Sequence, residues 1–151
     1  MNNVLHFPTN LIPAMSDTAV DRVREMETEA AKQPQVSIET HHAFHAGLYA
    51  RTIRIPANVM ITGALIQIPT VLIVSGDAVM YAESGTSRLT GYYVLAAEAH
   101  RKQAFLAIQD TFLTMLFATD AETVAEAEAQ FTDEVDLLCS RKPGAVNVVE
   151  D

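Results

Sequence analysis

Residues 53–76 read IRIPANVMITGALIQIPTVLIVSG. Short β-branched and apolar runs alternate here with turn residues, a pattern that suits strands of about five to eight residues and not helices. Pro56-Ala57-Asn58 predicts a turn, Val59 to Ile68 a second run that contains Gly63, and Thr70 to Val74 a third. Ser75-Gly76-Asp77 predicts a tight turn of the hairpin type. Upstream, Leu48 to Ile55 alternates: Tyr49, Arg51, Ile53 and Ile55 share one face, and Ala50, Thr52 and Arg54 the other. Downstream come Ala78 to Ala82, a turn at Glu83-Ser84-Gly85-Thr86, then Arg88 to Ala96, Gln103 to Ile108 and Thr111 to Ala118. So many short strands with no helical stretch between them predict an antiparallel sandwich or barrel and exclude a βαβ fold.

The flanks differ from this centre. Residues 1–14 hold Pro8 and Pro13, show no period, and read as an extended arm. Ser16 or Asp17 is placed to cap a helix whose apolar stripe is Ala19, Val20, Val23, Met26 and Ala30. Gln33-Pro34 ends it, because the residue before proline is pushed out of the helical region. On the other side, Thr119 or Asp120 is placed to cap a helix over Ala121 to Gln130. Thr132 could cap a second short helix that offers Val135, Leu137 and Leu138 to the core. Pro143-Gly144 ends it, and Ala145 to Asp151 reads as a tail. The expected organisation is an arm and helix over 1–34, a β-barrel over 35–118 and an acidic helical extension and tail over 119–151.

Length and composition suit a single globular domain: 151 residues, 49% hydrophobic and 19% charged. The lone cysteine, Cys139, cannot form an internal disulfide, which fits a reducing compartment or a particle assembled inside a cell. No apolar run reaches membrane-spanning length, and residues 1–15 lack the features of a signal peptide. The net charge of −9 is unevenly spread: residues 1–50 carry six acids and three bases, 51–118 four and five, and 119–151 nine and two. Nucleic acid and anionic membranes are therefore unexpected partners, since phosphate contacts need a basic surface.

The segment 53–76, the following DAVMY at 77–81, and GYYVLAAEAHRKQAFLAIQDTFLTMLFAT at 91–119 together resemble a cupin. Pro56-Ala57-Asn58 resembles the turn of the first cupin motif, Ser75-Gly76 its ending, and Gly91 opens a stretch with the spacing of the second. The resemblance covers about residues 45–118. It implies a mainly β, cupin-like antiparallel barrel (jelly roll) carrying an N-terminal helix and short C-terminal helices. The order of strands and turns, with a YAR-x-I-x-IPA strand at 49–57 and the acidic AEAQFTDEVDLLCSR at 127–141, also resembles small cupin-like proteins of tailed bacteriophages and prophages. The first cupin motif normally supplies two histidines and a glutamate to a metal, yet residues 55–76 contain no His, Asp, Glu or Cys. The second motif's ligand places, counted from Gly91, fall on Ala97, Ala99, Lys102 and Leu106. A lysine ammonium has no lone pair to offer a cation. The resemblance therefore implies a barrel without the family's metal ligands and without a cofactor, its interior filled by Ile, Leu, Val, Met and Phe.

Several residues remain candidates for chemistry. His41 and His45 share a face in either a helix or a strand and lie near Glu39, and with His42 they form the one histidine cluster. His41, His45 and His100 are the candidate metal ligands of an alternative reading, a metal-dependent enzyme of unusual ligation. Ser75 and Ser84 precede glycines in expected turns and lack a nucleophile elbow. Cys139, beside Leu137 and Leu138, reads as packed, and Asp110 as a turn residue. Tyr92 and Tyr93 face opposite sides of a strand, so one packs inward. The exposed one, with Arg88 or Arg101, is a candidate surface for a protein or sugar partner. The leading expectation is a non-catalytic, homo-oligomeric phage protein, a structural or accessory virion component working through contacts with itself and other phage structural proteins. It would reside in the virion or the host cytoplasm. A carbohydrate or small-ligand-binding module is the further alternative.

Overall fold

A computed structural model of the chain describes residues 11–150. The strands and helices of the described residues are β1 (Leu11–Ile12), α1 (Asp17–Ala30), β2 (Glu39–His45), β3 (Leu48–Ile55), β4 (Met60–Thr62), β5 (Thr70–Ala82), β6 (Gly85–Ala97), β7 (Ala104–Ala107), β8 (Thr111–Ala118), α2 (Val124–Phe131) and, after two short 3-10 turns at Val135–Leu137 and Cys139–Arg141, β9 (Val146–Glu150). The sheet runs β1-β6-β5-β8-β3-β2-β9, and β7 pairs with both β4 and β5. The protein is thus mainly β, with an N-terminal helix and short C-terminal helices, the architecture that the resemblance implies.

Ser75-Gly76-Asp77 is not a turn. β5 passes straight through it, paired along its whole length with β6. What changes at Gly76 is the partner on the other edge: Val71 to Ser75 pair with β8, and Ala78 to Tyr81 with β7. The β7–β8 connection crosses at that point, with Ile108 N–H and the Thr111 hydroxyl donating to the Asp77 carbonyl. A Cβ on Gly76, whose φ is +146°, would lie 2.6 Å from Thr111 Oγ1 and 2.7 Å from the Asp110 carbonyl oxygen. The glycine serves a close approach of backbones within a strand, not a reversal of the chain.

Alternation carries the core. Register aligns Leu95, Leu72, Met115 and Arg51 in one inward row across β6, β5, β8 and β3, and Tyr93, Val74, Leu113 and Ile53 in the next. Each large apolar side chain buried in these rows contributes about 1.5–3 kcal/mol. Phe44, Tyr49, Phe117 and Phe131 continue the core in successive ring contacts, Tyr49–Phe117 and Phe117–Phe131 edge-on.

Both flanks are built into the barrel. Ser16 caps α1 by accepting from Ala19 N–H, and Ala19, Val20 and Val23 bury against Met15, Tyr81 and Ala104. The helix stops at Ala30, before Gln33-Pro34. The arm expected over 1–14 ends as β1, parallel to β6, with Ile12 in the core; its first ten residues lie outside the described range. α2 starts at Val124 with Thr123 as its cap, three residues later than the composition predicts. The second C-terminal element is a pair of 3-10 turns and not an α-helix, with Thr132 accepting from Glu134 N–H. Ala145 onward is no free tail: Val146–Glu150 adds a parallel strand to β2.

Candidate functional site

The inward rows leave a cavity of about 120 Å³ inside the barrel. Ile53, Leu72, Phe105, Leu113 and Met115 make its apolar wall, Ile61 to Ala64 one rim, and Leu137 to Cys139 another. Among these hydrocarbons stand two guanidiniums, Arg51 and Arg101, and the amide of Gln103. All three side chains belong to buried residues.

Arg51 meets a carboxylate counter-ion. Its Nη1 donates to Glu128 Oε2 at 2.9 Å and, at 3.4 Å, to the Tyr49 hydroxyl; its Nη2 donates to Ser140 Oγ at 2.9 Å. The guanidinium also lies 5.6 Å from the Phe131 ring centroid. Glu128, itself fully buried, accepts further from Ser140 Oγ and from Arg141 Nε at 2.7 Å. Burial alone would raise the Glu128 carboxyl, but the hydrogen bonds from Ser140 and Arg141 and the Arg51 charge outweigh it and hold the group below the usual carboxylate range. α2 and the 3-10 turns are thereby fastened to β3.

Among the described residues, Arg101 does not meet one. It is 1% exposed, yet no carboxylate among the described residues pairs with it. Its acceptors are neutral: the Glu98 carbonyl at 2.6 Å and the Ile68 carbonyl at 3.4 Å from Nη1, Thr70 Oγ1 at 2.6 Å from Nη2, and Gln103 Oε1 at 3.3 Å from Nε. These account for four of five N–H donors and leave one on Nη2. Burial pushes the guanidinium down to about 10, which still leaves it charged at neutral pH. Gln103 Nε2 is buried with no hydrogen-bond partner. Its amide cannot usefully flip, because Oε1 already accepts from Arg101.

Arg101 is therefore corrected from a surface candidate to a cavity residue. Alternation through β7's approach places Arg101 and Gln103 toward the cavity and Lys102 away from it. Lys102 is fully buried against α1, with Nζ 3.0 Å from Glu27 and 3.5 Å from Glu134, and Glu134 also pairs with Arg24. Counting from Gly91 thus put the ligand place one residue off the inward face. Leu106, another counted place, is exposed.

The histidine cluster is divided by the pleat of β2. His41 and His45 point outward, His41 against Glu39 at 2.8 Å, and both are exposed. His42 points inward, fully buried, its Nδ1 2.6 Å from the Tyr49 hydroxyl and its Nε2 2.8 Å from Asn147 Oδ1. Burial lowers its basicity, only partly offset by the Asn147 hydrogen bond, so the ring is a neutral core group. His100 is half-exposed at φ +62°, 3.6 Å from Asp17. Among the described residues no three His, Cys, Asp or Glu side chains group in a way that could hold a metal ion. The cavity's donor set does not fit a cation either: two guanidiniums repel one, and burial raises the Cys139 thiol away from thiolate.

Outside the barrel, the opposite face of β6, β5, β8 and β3 is a second candidate site. Its rows run Tyr92–Ser75–Phe112–Arg54, Val94–Ile73–Thr114–Thr52 and Ala96–Val71–Leu116–Ala50, in which Arg54 is the single charged side chain. Tyr92 is 67% exposed, Val94 50% and Phe112 45%. Tyr93 packs inward, as alternation requires. Arg88 is exposed but bound to Asp77 by two hydrogen bonds, and the charge pair Arg54–Asp110 sits at the corner of the face, where Asp110 also accepts from Ala57 N–H in its turn. A groove of about 520 Å³ beside α1 and Met60 is open, and none of its lining residues is buried.

No protein-family model and no curated protein sequence matches the chain. Solved structures similar to it include a cupin superfamily protein of Desulfitobacterium hafniense (14% identity, TM-score 0.45, 59% of this chain and 84% of that one). KdgF of a Halomonas species follows at 16% identity and TM-score 0.47, over 60% of this chain and 86% of that one. A salicylate 1,2-dioxygenase of Pseudaminobacter salicylatoxidans aligns at 17% identity and TM-score 0.49, over 76% of this chain and 35% of that one. The site is read from this chain's own residues.

Proposed function

We propose that this is a non-catalytic, cupin-like protein that works through protein–protein contacts, first of all with a second copy of itself. The observation that carries the reading is the outer face of β6, β5, β8 and β3, whose one charged side chain, Arg54, is paired with Asp110, on a chain of net charge −9. Four strands about 4.8 Å apart, each contributing about six residues at about 3.3 Å, span a flat patch of about 400 Å². Patches of about 300–600 Å² are the largest found on typical monomers and commonly mark interaction sites. A second copy is the occupant that best fits: it brings the same neutral face, so the acidic remainder of each chain stays outside the contact, and a two-fold axis makes the patch self-complementary. Sheets of this kind pack face to face with their strands within about 30°.

Such a dimer suits a structural or accessory component of a phage particle, the role implied by the likeness of residues 49–57 and 127–141 to small phage proteins. Light scattering tests the contact. The expected mass is twice 16.5 kDa, and Val94→Lys combined with Phe112→Ser should return the monomer with an unchanged circular dichroism spectrum. A wild-type monomer at micromolar concentration would refute it. Mass spectrometry of purified virions tests the role, which consistent absence from particles would exclude.

A further inference from the structure

We propose that the barrel cavity is a receptor for a small monocarboxylic acid, its carboxylate held by Arg101 and Gln103 and its hydrocarbon end by Leu72, Leu113 and Met115. This site is independent of the outer face: no residue is shared between them.

Among the described residues, Arg101 is buried without a counter-charge, beside an amide without a partner. A guanidinium taken out of water without a counter-charge is among the least favourable groups a core can hold, and buried charges are ordinarily paired. Arg51, on the same cavity, has its carboxylate; Arg101 has only carbonyls, a hydroxyl and an amide. One Nη2 N–H and both N–H groups of Gln103 Nε2 remain unspent, and both residues line the cavity. Unspent donors next to an uncompensated positive charge define the missing partner as an acceptor that carries negative charge. A carboxylate supplies two oxygens to such a fork.

The rest of the cavity sets the ligand's size and valence. Its remaining wall is largely hydrocarbon, which a neutral sugar could not satisfy and which a strongly hydrated dianion such as phosphate would not enter. Only one of the two cations is free, so the fit is to a single negative charge. An apolar cavity of about 150 Å³ accepts benzene, so 120 Å³ suits about five or six non-hydrogen atoms, the size of propionate, butyrate or isobutyrate.

The test uses the full chain with methyl-labelled methionine, because Met115 lines the cavity. Isobutyrate, the probe, should shift the Met115 methyl resonance saturably, while isobutyramide, its neutral equivalent, leaves it in place. Octanoate should fail on size. Arg101→Met should weaken isobutyrate binding about thirtyfold or more, as loss of one partner of a buried charge pair does. Gln103→Leu, which keeps the volume, should weaken it less, and serves if the arginine variant does not fold. Absence of a saturable Met115 shift with every acid from acetate to valerate would overturn the proposal. An equal response to isobutyrate and isobutyramide would overturn it too, since the charge would then play no part.

Discussion

Arg51 and Arg101 stand in the wall of one cavity and are held in opposite ways. Arg51 meets Glu128 at 2.9 Å inside a closed network with Ser140 and Arg141, while Arg101 is as deeply buried and meets only neutral acceptors. A buried charge whose counter-ion the chain supplies fastens elements together, here α2 and the 3-10 turns onto β3. A buried charge that the chain leaves without a counter-ion holds binding capacity in reserve. The same residue type, at similar burial, is structural in one place and a receptor in the other.

That contrast can be broken most forcefully at Glu128. Glu128→Ala strands the Arg51 guanidinium without its carboxylate, and the expected loss is about 4 kcal/mol in denaturant unfolding. Arg51→Met should cost less, about 2 kcal/mol, because Glu128 keeps Ser140 and Arg141. Combining Arg51→Met with Glu128→Leu should recover much of the single-variant loss, since an apolar pair replaces a desolvated ionic one. Were the double variant as unstable as both losses added together, the network would not be acting as a unit.

Arg101→Met sharpens the comparison from the other side. It deserts the carbonyls of Glu98 and Ile68 but also removes a charge that no carboxylate offsets, so the expected cost is only about 1 kcal/mol. A loss matching that of Glu128→Ala would mean that Arg101 is a structural clamp after all.

The smallest expected effect is in pH dependence. His42 is held below its ordinary 6.5, so its contribution is complete above that pH; below it the unfolded chain protonates first and stability falls until the folded ring titrates. Glu128 and Glu134 lie below their ordinary 4.5, so theirs is complete above pH 4.5 and lost as the pH falls further. Melting temperature should therefore decline in two stages, with His42→Gln abolishing only the first. A single-stage decline in the wild type would count against a neutral core imidazole.

Much of the β-structure is legible in the sequence because alternation reports burial directly. Leu48 to Ile55 and Thr111 to Ala118 are the strands their patterns predict, and Ser16 caps the helix expected after it. Gly76 shows where this fails: a glycine between a serine and an aspartate has the composition of a turn, and only a backbone crossing from a distant segment reveals that it serves the middle of a strand. Val146 to Glu150 fails likewise, since its partner strand lies a hundred residues away. For the site, the signal was partly present. Arg51 shares an inward face with Tyr49, Ile53 and Ile55, and a charge on an apolar face announces a buried pair. Gln103 gives no such sign, and a one-residue shift of parity separates Lys102 from Arg101 and Gln103.

Taken alone, the sequence determined a β-rich barrel, its main strands and the lack of clustered metal donors in its first motif, because these depend on residue type and on a period of two. Only the tertiary structure decided which arginine has a counter-ion, which histidine is core and which amide is left without a partner. Those properties depend on what the far ends of the chain bring to the same few ångströms, and nothing local encodes that distance.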